Sequence, residues 1–332
     1  YRKEVKVQKN PLFLGAYVAS FPQLIAGPIV RYQTIEQELT GRKETVEEFA
    51  GGARRFLMGL FKKIVIANHM GVVCDTILGY TAQEAGFAGA WVAVAAYTLQ
   101  IYFDFSGYSD MAIGLGRMMG FHFLENFNYP YIAPSITDFW RRWHISLSTF
   151  FRDYVYIPLG GNRVTKGRWL CNLLVVWLLT GLWHGANWNY VLWGLYYGVL
   201  LIIEKVFLHK YLEKAGKVLP HIYTMFLVMI GWALFRMEDM SLLGQYLGAM
   251  FGGYGAGSLE FFITNQVFQM KYLVALVLGI LASTPIFKKW YESWDKRPVR
   301  GAVMDVALLA MFVISVFFLN VSGYNPFIYF KF

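Results

Sequence analysis

Residues 169–203, WLCNLLVVWLLTGLWHGANWNYVLWGLYYGVLLII, decide the fold class. These 35 consecutive positions contain no Asp, Glu, Lys or Arg. A helix needs roughly 20 apolar residues to cross the hydrocarbon core of a bilayer, so the stretch is long enough for two short membrane spans. The glycines at its centre weaken a helix, so we expect a break between the two spans near residues 181–187. The sequence therefore predicts an α-helical protein that lies in a membrane.

The composition of the whole chain agrees with this reading. The 332 residues are 57% hydrophobic and only 15% charged, whereas a soluble domain carries about 25% charged residues. Aromatic residues make up 18% of the chain, with 11 Trp and 22 Tyr, and such rings favour the boundary between hydrocarbon and lipid headgroups. No break in composition separates two halves, so we expect one membrane domain over residues 1–332.

Other parts of the chain contain further apolar segments. Residues 10–30 lack charge but include Pro22 and Pro28, which predicts a helix followed by a bent or re-entrant piece. Residues 46–80 mix basic and apolar side chains, as in an amphipathic helix that lies on or enters the cytoplasmic face. Four more segments read as spans, at 85–103, 218–235, 272–287 and 306–330.

The net charge of +9 could indicate nucleic acid or an anionic membrane surface as a partner. The basic residues sit in short clusters between apolar runs, which is typical of cytoplasmic loops and argues against nucleic acid. Three such clusters are placed in the cytoplasm, at 141–168, 205–217 and 288–300. The spans of the second half then alternate in direction, and residues 241–270 form an outer hairpin or a shallow helix pair.

Six histidines are the natural candidates for chemistry. Four of them lie in a basic loop or near segment ends and read as interfacial or solvated: His69, His122, His209 and His221. His184 differs, because it lies in the uncharged stretch, and ionisable groups at membrane depth usually have a task. A neutral imidazole there could accept a proton from a hydroxyl, or it could simply hydrogen-bond a carbonyl across helices.

His144 follows a pair of arginines, which place it near the cytoplasmic side. Arg141 and Arg142 could bind the phosphate or carboxylate of a donor molecule, because guanidinium makes bidentate contacts. They could equally anchor the chain at the membrane surface, and this reading is preferred for at least one of them. Catalytic and structural roles both remain open for His144.

Residues 100–110, QIYFDFSGYSD, place polar groups at the end of a predicted span. Asp104 and Tyr108 share one face of a helix and could orient a histidine or line a polar tunnel. Asp110 does not share that face, so a mechanism with paired carboxylates is not supported. A polar helix end satisfied by its neighbours is the simpler interpretation.

Several familiar signals are missing from the sequence. The chain has no P-loop, dinucleotide fingerprint, nucleophile elbow or HExxH motif. His144 and His184 have no Cys or carboxylate companions at the spacing of metal ligands, so we expect no metal and no bound cofactor. Because the chain begins at Tyr1 and not at Met, we expect an amino-terminal portion to be missing.

Five sequence segments, in their order along the chain, together resemble those of a known protein family. They are residues 21–29 (FPQLIAGPI), 100–110, 140–148 (WRRWHISLS), 152–161 (RDYVYIPLGG) and 180–188 (TGLWHGANW). In this combination the chain resembles the membrane-bound O-acyltransferase (MBOAT) family, in the branch of alginate O-acetylation and teichoic acid D-alanylation. Residues 159–163 (LGGNR) and 325–330 (NPFIYF) resemble the alginate-type polysaccharide O-acetyltransferases most.

The resemblance implies a fold and a site. The family's catalytic membrane histidine falls on His184 and its second histidine on His144, with Trp183 and Asn187 as supporting or substrate-binding neighbours. The fold is expected to be a ring of tilted transmembrane helices with re-entrant segments around a central tunnel. Members usually have additional spans at the amino terminus.

The resemblance also implies a reaction. A cytosolic acyl thioester, acetyl-CoA or a relative of it, would dock near Arg141, Arg142 and His144 on a bacterial plasma membrane. The acyl group would pass to an extracytoplasmic polysaccharide or to a serine of a partner acetyltransferase. Three alternatives stay open: a D-alanyl transferase fed by a carrier protein, a lipid acyltransferase, and an acyl-group channel without its own chemistry.

Overall fold

The computed structural model describes residues 5–24, 27–293, 300–321 and 323. Within these ranges the secondary structure is helical and no β-strand occurs, which confirms the prediction of an all-α protein. Residues 25 and 26 of the first familiar segment and the whole 325–330 tail lie outside the described residues.

The amino-terminal part contains only short helices. They are α1 (Pro11–Val18), a 3-10 turn (Phe21–Gln23), α2 (Tyr32–Ile35) and α3 (Glu38–Gly41). Asn10 starts α1, because its side chain accepts a hydrogen bond from the Leu12 amide and Pro11 occupies the first turn. A helix followed by an irregular piece is therefore present, as predicted, but the helix has eight residues and is too short to span a membrane.

The next element is a long continuous helix. It comprises α4 (Val46–Phe61), a π-helical segment (Lys62–Ala67) and α5 (Asn68–Leu78). Together these form a helix of 33 residues that is apolar and long enough to cross a membrane. The interfacial helix predicted for residues 46–80 is thus replaced by one of spanning length. The basic residues do not prevent this because Lys62, Lys63 and Arg55 pair with carboxylates of the following helix.

That following helix, α6 (Ala82–Met118), has 37 residues. Its start is fixed by a capping box, in which Thr81 and Glu84 satisfy each other's backbone amides. The predicted span over 85–103 therefore runs on to Met118, and residues 100–110 lie in the middle of a helix. The polar segment thus lies inside a longer helix, and its carboxylates pair with basic residues of the preceding helix.

Glycines bring α4 and α6 into close antiparallel contact. A Cβ added to Gly52 would lie 2.5 Å from the Gly114 carbonyl oxygen, and one added to Gly59 would lie 2.5 Å from the Gly107 oxygen. In the same way, a Cβ added to Gly114 would lie 2.6 Å from the Gly52 carbonyl oxygen, and one added to Gly107 would lie 2.8 Å from the Gly59 oxygen. Helices in membranes associate largely through such close backbone packing. The pairing holds the two longest helices as one unit.

The middle of the chain folds into short helices that enter the protein. These are a 3-10 turn (Pro130–Ile132), α7 (Ile136–Arg142), α8 (Ile145–Phe151) and a π-helical segment (Arg152–Tyr156). Phe139, Trp143, His144 and Leu147 are all buried. The predicted cytoplasmic loop at 141–168 is therefore not a surface loop in its first part, because every fourth side chain from Phe139 to Phe151 is apolar and buried.

Helices α9 (Lys166–His184) and α10 (Trp188–Ile203) confirm the predicted break, which falls at residues 185–187. A Cβ on Gly181 would collide with the Tyr190 carbonyl oxygen, and one on Gly194 with the Trp177 oxygen. Glycine is therefore required at both crossing points of this hairpin. The second arm continues through a π-helical segment (Glu204–Leu208) into α11 (His209–Lys214).

The last part of the described chain has six helices. They are α12 (Val218–Arg236), α13 (Met240–Met250), α14 (Leu259–Thr264), α15 (Met270–Ala282), α16 (Ile286–Ser293) and α17 (Arg300–Val321). Helices α13 and α14 are the helix pair predicted for residues 241–270. The span predicted at 272–287 is represented by α15, which has only 13 residues.

Five helices of the described ranges are long and apolar enough to cross a membrane. They are Val46–Leu78, Ala82–Met118, Trp188–Lys214, Val218–Arg236 and Gly301–Val321. A cluster of buried aromatic rings lies between them and includes Tyr102, Phe139, Trp143, Trp193 and Trp232. These features describe a multi-pass membrane protein whose interior is packed with large rings.

Candidate active site

His184 is the last residue of α9 and lies at the tip of the α9–α10 hairpin. Its ring centroid is 5.2 Å from that of Trp193 and 5.1 Å from that of Phe235, both in edge-to-face contact. A Cβ on Gly185 would lie 2.7 Å from the Tyr190 ring, so the chain after the histidine turns tightly against α10. The half-buried imidazole is thus fixed by apolar rings at a broken helix.

Asn187 is the N-cap residue of α10. Its side-chain oxygen accepts a hydrogen bond of 2.7 Å from the Trp188 amide, at the first residue of α10. The predicted supporting residue therefore acts on the backbone of the hairpin in this structure. Helix capping by Asn is a common way to start a helix after an irregular turn.

His144 lies between α7 and α8 and is only 4% exposed. Its backbone adopts φ 43° and ψ 55°, a left-handed conformation that is uncommon outside glycine. The ring packs edge-on against Phe105 of α6, with centroids 4.6 Å apart. A strained backbone kept in a buried position is often a sign that the side chain must point in one particular direction.

The ring of Trp183 lies close to both histidine rings. Its ring centroid lies 6.2 Å from that of His144 and 5.0 Å from that of His184. Two histidines that are distant in sequence therefore converge on one half-exposed tryptophan. The structure brings together three of the residues predicted for the site, from the segments at 140–148 and 180–188.

Comparisons with known proteins identify the family of the chain. The family model for MBOAT, the membrane-bound O-acyltransferase family, matches residues 3–212. The chain belongs to this family. One relative is the probable alginate O-acetylase AlgI of Azotobacter vinelandii, which is 37% identical over 100% of this chain and 72% of its own.

Two further relatives carry different names. The peptidoglycan O-acetyltransferase of Helicobacter pylori is 40% identical over 95% of this chain and 63% of its own. The teichoic acid D-alanyltransferase of Bacillus subtilis is 32% identical over 58% of this chain and 51% of its own. The chain is accordingly an O-acyltransferase with several membrane-spanning helices.

Asp104 and Tyr108 of this acyltransferase lie on α6, away from the tip of the hairpin in sequence. Asp104 is 1% exposed and accepts a hydrogen bond from Nζ of Lys63, which is itself buried. Tyr108 packs against the main apolar core. Asp110 binds Arg55 and Lys62 at 2.7 and 2.6 Å. The acids of this segment therefore face basic residues of the neighbouring helix, which the sequence pattern of α6 alone did not show.

The two arginines before His144 differ in their surroundings. Arg142 donates to Asp138 at 2.7 Å, one turn earlier on α7, and to the Asn128 carbonyl at 3.3 Å. Arg141 is exposed, and no ion pair of its guanidinium occurs among the described residues. Arg142 thus supports the local fold, whereas Arg141 presents its side chain at the surface.

Asn126 was not predicted from the sequence. It is 1% exposed, lies in the segment between α6 and α7, and contacts the ring of His144 at 3.1 Å. Its partners Ser109 and Ser146 come from α6 and α8. A lone Asn in a loop usually reads as a turn residue, so no signal in the sequence singled it out.

Glu204 was also missed. This carboxylate is 2% exposed and accepts hydrogen bonds from the backbone amides of Ile136 and Thr137, at 2.6 and 2.9 Å. Negative charge is stabilised at the start of a helix, where amides lack partners. The end of the α10 arm therefore fixes the start of α7, the helix that leads to His144. The one sequence signal was an acid at the end of a long apolar run.

The remaining four histidines differ in how far they are exposed. His122 and His209 are exposed and lie near Glu38 and Glu213, as expected for solvated residues. The prediction for His69 is wrong, because this residue is 8% exposed and its Nδ1 lies 2.8 Å from the Val65 carbonyl oxygen. It is buried because the rings of Tyr272 and Phe318 pack against its imidazole. His221 is half-buried in the first turn of α12.

The segment at 152–161 contacts the amino-terminal part of the chain. Arg31 donates to Asp153 at 2.7 Å, and its guanidinium lies 5.2 Å from the centre of the Tyr154 ring. Hydrogen bonds from Arg152 and then from Arg31 hold the pKa of Asp153 below its usual range. Among the residues with described positions, no group of three His, Cys, Asp or Glu side chains could hold a metal ion.

Proposed function

We propose that this chain transfers an acetyl group from a cytosolic thioester, acetyl-CoA, to a hydroxyl group on the outer side of a bacterial plasma membrane. The acceptor is an extracytoplasmic polysaccharide or a serine of a partner acetyltransferase. Two relatives are named for O-acetylation, of alginate and of peptidoglycan, and both belong to bacteria. The observation that supports this most is the convergence of His144 and His184 on Trp183.

The chemistry assigned to His184 is that of a general base. The acceptor hydroxyl attacks the thioester carbonyl carbon while the imidazole takes the hydroxyl proton. The new C–O bond forms as the C–S bond breaks, and the departing thiolate takes the proton back from the imidazolium. An imidazole among apolar rings is neutral before the reaction and is therefore ready to accept this proton. Orienting the thioester is the other role that this position allows.

In this proposal, the thioester donor binds beside Arg141. Its exposed guanidinium suits the phosphate groups of a CoA thioester, because guanidinium forms paired hydrogen bonds with such oxygens. Arg142 donates its hydrogen bonds to Asp138 and to the Asn128 carbonyl, so it takes no part in this contact. No metal and no bound cofactor enter the proposed reaction.

The test uses purified protein in nanodiscs with radiolabelled acetyl-CoA. We expect wild type to cleave the thioester, and His184→Ala to lose this activity at normal expression. His144→Ala reports whether the second histidine shares the chemistry. The matched control is His209→Ala, because this histidine is exposed and lies in a helix outside the site. Full cleavage by His184→Ala would refute the role of His184.

A D-alanyl transferase fed by a carrier protein is the second candidate, since one relative is named a teichoic acid D-alanyltransferase. Its match covers 58% of this chain, less than the matches of the O-acetylation relatives. A D-alanyl thioester on a carrier protein should be offered in the same nanodisc assay. Consumption of this donor, with acetyl-CoA left intact, would favour the second candidate. Consumption of neither would favour an acyl-group channel.

A further inference from the structure

Asn126 makes a dense set of hydrogen bonds beside His144. Its side-chain Oδ1 lies 3.1 Å from Nδ1 of His144, 2.8 Å from Oγ of Ser146 and 3.2 Å from the Ser146 backbone nitrogen. Its Nδ2 lies 3.1 Å from Oγ of Ser109 on α6. The amide is therefore held from both sides in a fully buried position.

The orientation of this amide can be argued from chemistry alone. Asn oxygen and nitrogen are easily exchanged in a structure, so the partners must decide between them. A backbone N–H can only donate, and the side-chain atom that faces the Ser146 amide must therefore be the oxygen. The other end of the group is then the NH2, which donates to the Ser109 hydroxyl.

The same oxygen determines the protonation of His144. A carbonyl oxygen only accepts hydrogen bonds, so the Nδ1 that faces it must carry a hydrogen. The Ser146 hydroxyl lies 3.4 Å from Nδ1 but 2.8 Å from Oδ1 of Asn126, so its own hydrogen goes to the asparagine. A neutral imidazole with a hydrogen on Nδ1 has its lone pair on Nε2.

We infer that Asn126 is a positioning residue, which fixes His144 as the Nδ1–H tautomer and makes Nε2 the atom that accepts a hydrogen bond or proton during acyl transfer. The part of this inference that concerns acyl transfer rests on the proposed function. The assignment of the tautomer does not, because it follows from the contacts alone.

Asn126 also holds the backbone that presents the ring. Its carbonyl oxygen accepts the Ile145 amide at 2.9 Å, and its Oδ1 accepts the Ser146 amide. These are the two peptide groups directly after His144, whose left-handed backbone needs support from its surroundings. One asparagine thus fixes both the direction of the imidazole and the position of its proton.

The first experiment reads the tautomer directly. Protein labelled with 15N-histidine is measured in nanodiscs by solid-state NMR, and the His144 signals are found by subtracting the spectrum of His144→Gln. We expect a protonated Nδ1 and an unprotonated Nε2 in wild type and in the control Ser109→Ala. Asn126→Leu, which has a similar size but no acceptor, should lose this preference. A wild-type His144 that carries its hydrogen on Nε2 would overturn the inference.

The second experiment connects the tautomer to turnover. Asn126→Leu should lower kcat for thioester cleavage roughly tenfold or more with little change in KM, because a misplaced group at the reacting centre costs rate steeply. Asn126→Asp keeps an oxygen acceptor, so it should retain the Nδ1–H signal and recover part of kcat, which a purely structural role would not predict. Unchanged kcat in Asn126→Leu would overturn the positioning role. Absence of turnover in wild type would contradict the proposed function, whereas the NMR result still decides the tautomer.

Discussion

Trp183 is the residue of the candidate site whose ring contacts both histidines. It is 48% exposed, so removing it costs little packing. We expect Trp183→Ala to lower kcat by roughly tenfold or more, since misplaced catalytic groups lose rate steeply. Trp183→Phe keeps a ring at the position and should lose less. The measurement is thioester cleavage in nanodiscs, with thermal unfolding followed in parallel.

Trp188 offers a matched control for this variant. It lies on the other side of the break, is 70% exposed, and no contact of its ring with His144 or His184 is found among the described residues. Trp188→Ala should therefore leave kcat near the wild-type value. Equal losses in Trp183→Ala and Trp188→Ala would show that aromatic surface in general is needed, and would contradict the specific role of Trp183.

The two arginines before His144 lead to a prediction of opposite effects. Arg141→Ala should raise KM for acetyl-CoA with kcat unchanged, as expected when binding energy common to ground and transition states is lost. Arg142→Ala should instead lower thermal stability, because it breaks the contacts to Asp138 and Asn128. Acetyl-pantetheine, which lacks the nucleotide phosphates, serves as the control donor. A rise in KM of Arg141→Ala for this donor too would exclude phosphate recognition.

Among single residues, one half of the candidate site could be predicted from the sequence better than the other. His184 could be predicted because it is an ionisable group among 35 residues without formal charge. Asn126 could not be predicted, because its partners Ser109, His144 and Ser146 meet it only in the folded chain. Periodicity reports which face of a helix is apolar, but it does not report which polar groups of different elements meet.

At the scale of elements, the α4–α6 pair explains how so much charge enters the membrane region. Lys63 pairs with Asp104, and Arg55 and Lys62 pair with Asp110, between two helices that approach closely at glycines. The basic residues made residues 46–80 look like a surface helix. Their partners are acids of the next helix, at positions that a separate analysis of each segment cannot connect.

The glycine contacts between α4 and α6 can be tested with two alanine substitutions. Gly59→Ala should destabilise the protein by about 1–3 kcal/mol, because its Cβ would lie 2.5 Å from the Gly107 carbonyl oxygen and the backbone cannot give way locally. Gly244→Ala on α13 is the control, because nothing lies within 4 Å of its added Cβ. It should be neutral or stabilising by up to about 1 kcal/mol. Thermal unfolding in detergent measures both, and equal stability of the two variants would contradict this packing.

At the scale of the whole molecule, the sequence predicted the class of fold but not the full path of the chain. Long apolar runs without charge correctly marked α10 and α12 as helices of spanning length and placed the break between α9 and α10, whereas α9 is not among the five helices of spanning length and hydropathy. The path of residues 136–151 into the core was missed, because short helices with two arginines resemble a cytoplasmic loop. A ring of helices around a tunnel stays a prediction from the family resemblance.

The orientation of the chain in the membrane can be tested by cysteine labelling. The basic residues of 205–217 place α11 in the cytoplasm, and the span α12 then puts α13 outside. Single cysteines can test this in a Cys171→Ser background, because Cys171 is exposed whereas Cys74 is buried and inert. We expect a membrane-impermeant maleimide to label Gly244→Cys in whole cells, and to label Lys214→Cys only after the cells are opened. Both positions are exposed in the structure, so a difference in labelling between them does not come from burial inside the protein. The reversed pattern would place the basic loops outside, and the thioester donor could then no longer reach Arg141 from the cytoplasm.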